Sequence, residues 1–201
     1  MAIRSRRVHR SRSRADTRWF LAGYAGLAGF FALEALTRQP GSASRLDASS
    51  DDQGTTRMIV TAYALATDLP LLLRRLPVPQ LPPAAGPIGL TAQASGLTLR
   101  AWSMRTLGAS YTRTLRTDAE QHVVTTGPYR WVRHPGYTGS LLIWTGFAVA
   151  SRSMPVIAAV AGLLGRAYRR RVSAEEQLLH RELPGYTDYS QHTKILVPFI
   201  W

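Results

Sequence analysis

Cysteine is absent from this chain of 201 residues. That absence excludes disulfide scaffolds, thiolate metal sites, iron–sulfur clusters and cysteine nucleophiles. Charge is sparse too: Asp, Glu, Lys and Arg make up 18% of the residues, below the roughly 25% usual in soluble domains. Acidic residues number 12 against 25 basic ones, and Lys194 is the sole lysine. Neither a glycine-rich phosphate loop nor a Gly-x-Ser-x-Gly elbow occurs, which lowers nucleoside-triphosphate and hydrolase readings.

What is present is segregated. A mean hydropathy of −0.09 averages arginine-dense blocks with long intervals that hold almost no charge, the pattern of a membrane protein. A net charge of +13 and a pI near 11.2 point to nucleic acid in a soluble protein. Here the basic blocks abut apolar runs, where the retention of Lys and Arg on the cytoplasmic side explains them without a ligand. Nucleic acid is therefore the less favoured partner and membrane lipid the more favoured one.

Residues 1–18 carry seven arginines, from Arg4 to Arg18, against the single acid Asp16, and read as a disordered basic tail. Trp19–Leu36 is apolar apart from Glu34 and approaches the span of about 20 residues that hydrocarbon requires. A secretory signal is the rival reading, with Ser42-Ala43-Ser44 as its cleavage site, but the length and Glu34 favour a retained helix. Gln39–Thr56 is a polar loop, and Met58–Leu73 is a second apolar run containing Asp68 and Pro70. An intramembrane Asp is costly unless it faces the bundle interior or an interface. A proline-rich linker, 77–87, precedes the semi-polar third run, Ile88–Leu107, so that 19–107 form an N-terminal membrane region.

The remainder, 108–201, holds the unusual residues: a turn over 121–137, a helical hairpin over 137–171 and a tail over 172–201. Tyr137–Ala150 and Pro155–Ala167 are each short for a straight span and are joined by Ser151-Arg152-Ser153, which reads as a tight hairpin. Pro155 suits the first turn of a helix. The expected fold class is thus all-α, a polytopic integral membrane bundle of about five segments, placed most simply in a bacterial inner membrane. Its topology carries a contradiction: five spans put the ends on opposite sides, yet the basic tail and the Arg166–Arg171 block both favour the cytoplasm.

Two constellations carry chemistry. Gly127-Pro128-Tyr129-Arg130-Trp131-Val132-Arg133-His134-Pro135-Gly136-Tyr137 puts aromatics, arginines and a histidine on a proline-constrained, non-helical path before a membrane helix. An interfacial belt of Trp, Tyr and Arg is the plainer reading of the same residues. The second, Arg171-Val172-Ser173-Ala174-Glu175-Glu176, places Arg171 and Glu175 four apart on one helix face, where a surface ion pair of about 0.3–0.5 kcal/mol is the plain alternative. Glu176 and His180 share that spacing, but no third ligand lies nearby, so no metal is expected.

Together with Gly96-Leu97-x-x-Arg100-x-Trp102, Arg105-Thr106-Leu107-Gly108, Tyr186-x-x-Tyr189 and Leu196-Val197-Pro198-Phe199-Ile200, these segments resemble the isoprenylcysteine carboxyl methyltransferase family. Related phospholipid methyltransferases share part of the pattern. The resemblance runs from Gly96 to the C-terminus and implies a membrane enzyme that moves a methyl group from S-adenosylmethionine to a lipid-bearing acceptor. It places cofactor contacts at Gln121, His122, Val123 and Val124, at Tyr129, at His134, Pro135, Gly136 and Tyr137, and at Glu175. It places acceptor binding at Arg171, and the catalytic group at Arg171, Glu175 and Glu176. Two features depart from the family: Leu183-Pro184-Gly185 leads into Tyr186 one residue early, and the arginine-rich N-terminus is not required.

Elementary chemistry agrees with that implication. A sulfonium cation favours aromatic faces and carboxylates, which Tyr129, Tyr137 and Glu175 supply. A carboxylate acceptor is already ionised near neutral pH and needs no base; Arg171 orients it by paired hydrogen bonds. An amine acceptor needs a base, with Glu176 or His134 available. Carboxyl O-methylation is the leading expectation and amine N-methylation of a phospholipid the alternative. A non-enzymatic adaptor binding anionic lipid or nucleic acid, or a membrane reductase, is the more distant one.

Overall fold

The computed structural model describes residues 14–37, 52–108 and 122–196. Most of the N-terminal tail, most of the polar loop after the first helix, Gln121 and the Val197–Ile200 motif lie outside them. Among the described residues the chain is all-helical, with only isolated bridges at Gln80–Ser153 and Val132–Lys194. Five long helices, α1 (Arg14–Leu36), α2 (Thr55–Leu73), α3 (Ala85–Leu107), α4 (Pro135–Ala150) and α5 (Met154–Glu182), precede a short α6 (Tyr186–His192). A 3-10 turn, Gly127–Arg130, leads into α4.

The long helices alternate in direction. At one end, the linker meets the α4–α5 turn: Leu81 N–H donates to Arg152 O at 2.8 Å and Met154 N–H to Pro79 O at 3.0 Å. Trp19 of α1 lies over Gly86 of α3 at this same end. At the other end, the last turns of α1 and α3 meet the first turns of α2 and α4 and the middle of α5. The start of α1 and the Arg166–Arg171 block therefore sit at opposite ends of the bundle.

Glycine sets the α3–α4 crossing. A Cβ on Gly96 would stand 2.6 Å from Gly139 O, and one on Gly146 would stand 2.6 Å from Gln93 N. Gly89 and Gly139 face the partner backbone in the same way. Backbones this close are typical of membrane helix pairs, whose association comes from packing rather than from the hydrophobic effect. Phe30, Ile143, Trp144, Phe147, Val156, Val160 and Leu164 fill the core between α1, α4 and α5. Tyr63 of α2 stacks on Trp144, with ring centroids 4.4 Å apart.

Glu34, the acid inside the first apolar run, is buried against Arg100 of α3. Arg100 Nε and Nη2 reach its Oε1 at 2.7 and 2.6 Å, which is how the bundle accommodates both charges. Asp68 is exposed on α2. Among the described residues, two helices, over Thr17–Leu36 and Thr55–Leu73, are long and apolar enough to cross a membrane.

Three sequence expectations need correction. The basic tail read as disordered over 1–18 already enters α1 at Arg14. α5 does not stop as a hairpin arm at Ala167 with a separate helix beginning at Val172; it is one helix of 29 residues. The apolar run ends there, but Arg, Ala, Glu, Gln and Leu are all good helix formers and no Gly or Pro intervenes before Pro184. Nor is Gly127–Tyr137 wholly non-helical: Gly127–Arg130 is a 3-10 turn, and α4 already includes Pro135, Gly136 and Tyr137.

Candidate active site

The bend before α4 is built by its prolines and held by the tail. Gly127, at φ 57, opens the 3-10 turn in a conformation open to glycine, and Pro128 follows within it. His134 is the N-cap of α4, with Pro135 as first helical residue, where its missing N–H costs nothing. The tail then pairs alongside: Arg133 N–H donates to Lys194 O at 2.7 Å and His134 N–H to Ile195 O at 3.0 Å. Thr138 Oγ1 donates to Leu196 O at 2.7 Å.

Glu176 ties α5 to this bend. Its Oε1 lies 2.6 Å from His134 Nε2 and accepts from Tyr186 OH at 2.6 Å and Arg133 Nε at 3.1 Å. Arg133 Nη2 reaches Oε2 at 2.9 Å. Burial alone would raise the pKa of this carboxyl; the bonds from His134, Arg133 and Tyr186 outweigh it and hold the group at about 2. A carboxylate so fully engaged is a poor proton acceptor at neutral pH. Arg133 extends the clasp to the tail, donating through Nη1 to Ser190 O at 2.8 Å and Thr193 O at 2.5 Å.

One turn earlier on α5, Arg171 is buried rather than on the surface, at 4% exposure. The hydroxyl of Tyr137 links it to Glu175: it accepts from Arg171 Nε at 3.1 Å and donates to Glu175 Oε2 at 2.5 Å. The Tyr137 ring stacks with the His134 imidazole, centroids 5.6 Å apart. Arg171 Nη1 also meets Asp52, which precedes α2, at 2.5 Å. Burial would raise the Asp52 pKa; bonds from Thr56, Arg171 and Thr55 hold it below the ordinary range.

The structure thus gathers His134, Pro135, Gly136, Tyr137, Arg171, Glu175 and Glu176 at one end of the bundle. Tyr129 is buried in the 3-10 turn, its carbonyl accepting from Tyr189 OH at 2.6 Å. His122 is exposed and Val123 and Val124 half-buried on the irregular segment before the turn, and Gln121 lies outside the described residues. His180 spends its ring nitrogens on Glu176 O and Ser190 Oγ, at 2.9 and 3.2 Å. The early arrival of Tyr186 does not spoil the tail, because Tyr186 and Tyr189 both find partners in the site.

Sequence reasoning passed over four participants. Arg133 and Tyr186 stand inside the quoted motifs, and a motif position with a charge or hydroxyl is a signal in itself. Arg100 does too, and its Nη1 donates to Gly136 O at 2.9 Å and Ser140 Oγ at 2.7 Å, bracing the first turn of α4. Asp52 stands in a polar loop and carries no such mark.

Aromatic faces and carboxylates thus stand together at the mouth of a helical bundle, and the fold itself has a known counterpart. A solved structure described as the eukaryotic intramembrane Ras methyltransferase ICMT superposes with a TM-score of 0.66 at 22% identity, over 94% of this chain and 69% of that one, which is a likeness of fold. Residues 89–181 match the model of the isoprenylcysteine carboxyl methyltransferase (ICMT) family.

Protein-S-isoprenylcysteine O-methyltransferase B of Arabidopsis thaliana is 34% identical over 116 residues, covering 56% of this chain and 58% of the relative. A probable protein-S-isoprenylcysteine O-methyltransferase of Oryza sativa subsp. indica is 34% identical over 117 residues, 56% of this chain and 61% of the relative. The chain thus spans about three-fifths of the length of these relatives.

Proposed function

We propose that this protein is a membrane methyltransferase that uses S-adenosylmethionine to esterify the carboxylate of an isoprenylcysteine-like or other lipophilic acceptor. The observation that carries the reading is the pairing of the bend with α5: Tyr137 OH on Glu175 at 2.5 Å and His134 on Glu176 at 2.6 Å. The family match over 89–181 and the names of the plant relatives support it. We read about five membrane segments, a reading that the alternation of α1 to α5 supports, with the charged second half of α5 projecting beyond the apolar layer.

The residues present fit the donor. Glu175 supplies a carboxylate and Tyr129, Tyr137 and His134 supply rings for its cationic and aromatic parts, with Gly136 allowing close approach. His122, Val123 and Val124, with Gln121, complete the proposed contact segment. When bound, S-adenosylmethionine supplies an electrophilic methyl group on a sulfonium. Arg171 holds the acceptor carboxylate by directed N–H donors, and Tyr137 fixes Glu175 relative to it. Alignment and exclusion of water do the remaining work, because an ionised carboxylate attacks without losing a proton. Glu176 acts through others: it fixes Arg133, His134 and Tyr186, and its low pKa disfavours the base that an amine acceptor needs.

Incubating the purified protein with labelled donor and a prenylated cysteine, or with phospholipid, tests the reaction. Label in a methyl ester, released by mild base as methanol, is expected. Label retained in base-stable headgroups would contradict it in favour of amine methylation.

A further inference from the structure

The Arg171 guanidinium already holds a carboxylate. Asp52, 1% exposed, presents Oδ1 to Arg171 Nη1 at 2.5 Å across 119 residues of sequence. Two hydroxyls close the arrangement. Thr55 Oγ1 accepts from Arg171 Nη1 at 3.1 Å and donates to Asp52 Oδ1 at 3.1 Å. Thr56 Oγ1 accepts from the same nitrogen at 3.2 Å and donates to Asp52 Oδ1 at 2.5 Å. Thr56 N–H adds a bond to Oδ2 at 3.1 Å. The contact joins separate elements and is buried, which distinguishes it from a helix cap alone.

Resting on the reading of Arg171 as the acceptor's anchor, we infer that Asp52 occupies the seat of the acceptor carboxylate and sets how tightly a carboxylate acceptor is held. A buried guanidinium needs an anion, because its desolvation is costly when uncompensated. Asp52 provides one while the site lacks acceptor. An incoming carboxylate exchanges for it with no change of charge at Arg171. A neutral or cationic headgroup offers no such exchange and leaves Asp52 in place. Asp52 therefore competes only with an acceptor that brings an anion to Arg171: it weakens the binding of a carboxylate and leaves that of other acceptors unchanged. Asp52 itself lies before the first turn of α2, beyond the left-handed Gln53 (φ 47) and Gly54 (φ 76), and is bonded through its carboxylate.

The test uses the full chain in lipid nanodiscs, with an S-prenylated N-acetylcysteine as carboxylate probe and its carboxamide as control. Two variants are compared, Asp52→Asn, which keeps an oxygen able to accept from Thr56 N–H, and Asp52→Ser, which shortens the side chain. Calorimetry is expected to show carboxylate affinity rising about fivefold or more in both, carboxamide affinity within about twofold of wild type, and donor binding retained. An unchanged or weaker carboxylate affinity in either variant with intact donor binding overturns the inference. So does loss of donor binding in both, which would make Asp52 a structural counter-ion. Because binding is read without turnover, absence of ester formation by the wild type would contradict the proposed reaction and leave this comparison standing.

Discussion

His134 Nε2 and Glu176 Oε1 lie 2.6 Å apart although 42 residues separate them. One stands at the cap of α4 and the other on the charged half of α5, so this contact fixes how the bend faces the helix that carries Arg171 and Glu175. Arg133 and Tyr186 meet the same carboxylate, and the tail strand at Lys194–Ile195 holds the bend from behind. The site is therefore positioned by ionic and backbone contacts at the end of the bundle, while apolar packing fixes only the helices beneath it.

Replacing Glu176 by Gln should loosen the site as a unit. Breaking a buried pair leaves the surviving charge uncompensated and costs roughly 3 kcal/mol. The variant is expected to melt earlier in detergent and to bind donor at least about tenfold more weakly. A melting temperature and donor affinity equal to wild type would show that Glu176 holds nothing in place.

The same carboxyl makes stability depend on pH. Its folded pKa of about 2 lies below the ordinary carboxyl value of 4.5, so the unfolded state binds more protons between these values. The stabilisation is present above pH 4.5 and is lost as pH falls towards 2. Denaturation followed from pH 5 to pH 2 should show stability falling in the wild type and a shallower fall in Glu176→Gln. Parallel curves would contradict the assignment.

The α3–α4 crossing predicts unequal glycines. Gly96→Ala puts a methyl group against Gly139 O and Ile143 N and should cost about 1–3 kcal/mol. Gly165→Ala, which meets nothing within 4 Å on α5, should be neutral or stabilising by up to about 1 kcal/mol. Thermal melts of the two variants check the contrast, and equal effects would remove the close crossing from the account.

Glu34 and Arg100 give a double-substitution test. Glu34→Ala strips a carboxylate from a buried guanidinium and should destabilise by about 3 kcal/mol or more. Glu34→Met with Arg100→Met should cost less than Glu34→Ala alone, because no charge is left buried. Greater loss in the double variant would mean that Arg100 is needed chiefly for its bond to Gly136 O.

Much of the helical plan is legible in the chain because apolar runs report burial in lipid or core directly. Each of the five runs coincides with a helix, to within a few residues at its ends, apart from α5. That helix continues past Ala167 on propensity and on contacts with the tail, which hydropathy does not register. The site was legible where its residues sit in one motif, as with His134 and Tyr137, or share a helix face, as with Arg171 and Glu175. Asp52 was not, since its partner is remote in sequence and a polar loop offers no periodicity to read. Glu176 showed its importance but not its state, because three of its partners come from the bend and the tail.

The most direct measurement is calorimetry of S-adenosylmethionine binding to wild type, His134→Ala and Glu175→Ala, with circular dichroism confirming retained helix. The account predicts binding by the wild type and at least about tenfold weaker binding by each variant. Binding by both variants at wild-type affinity, or none by the wild type, would contradict it.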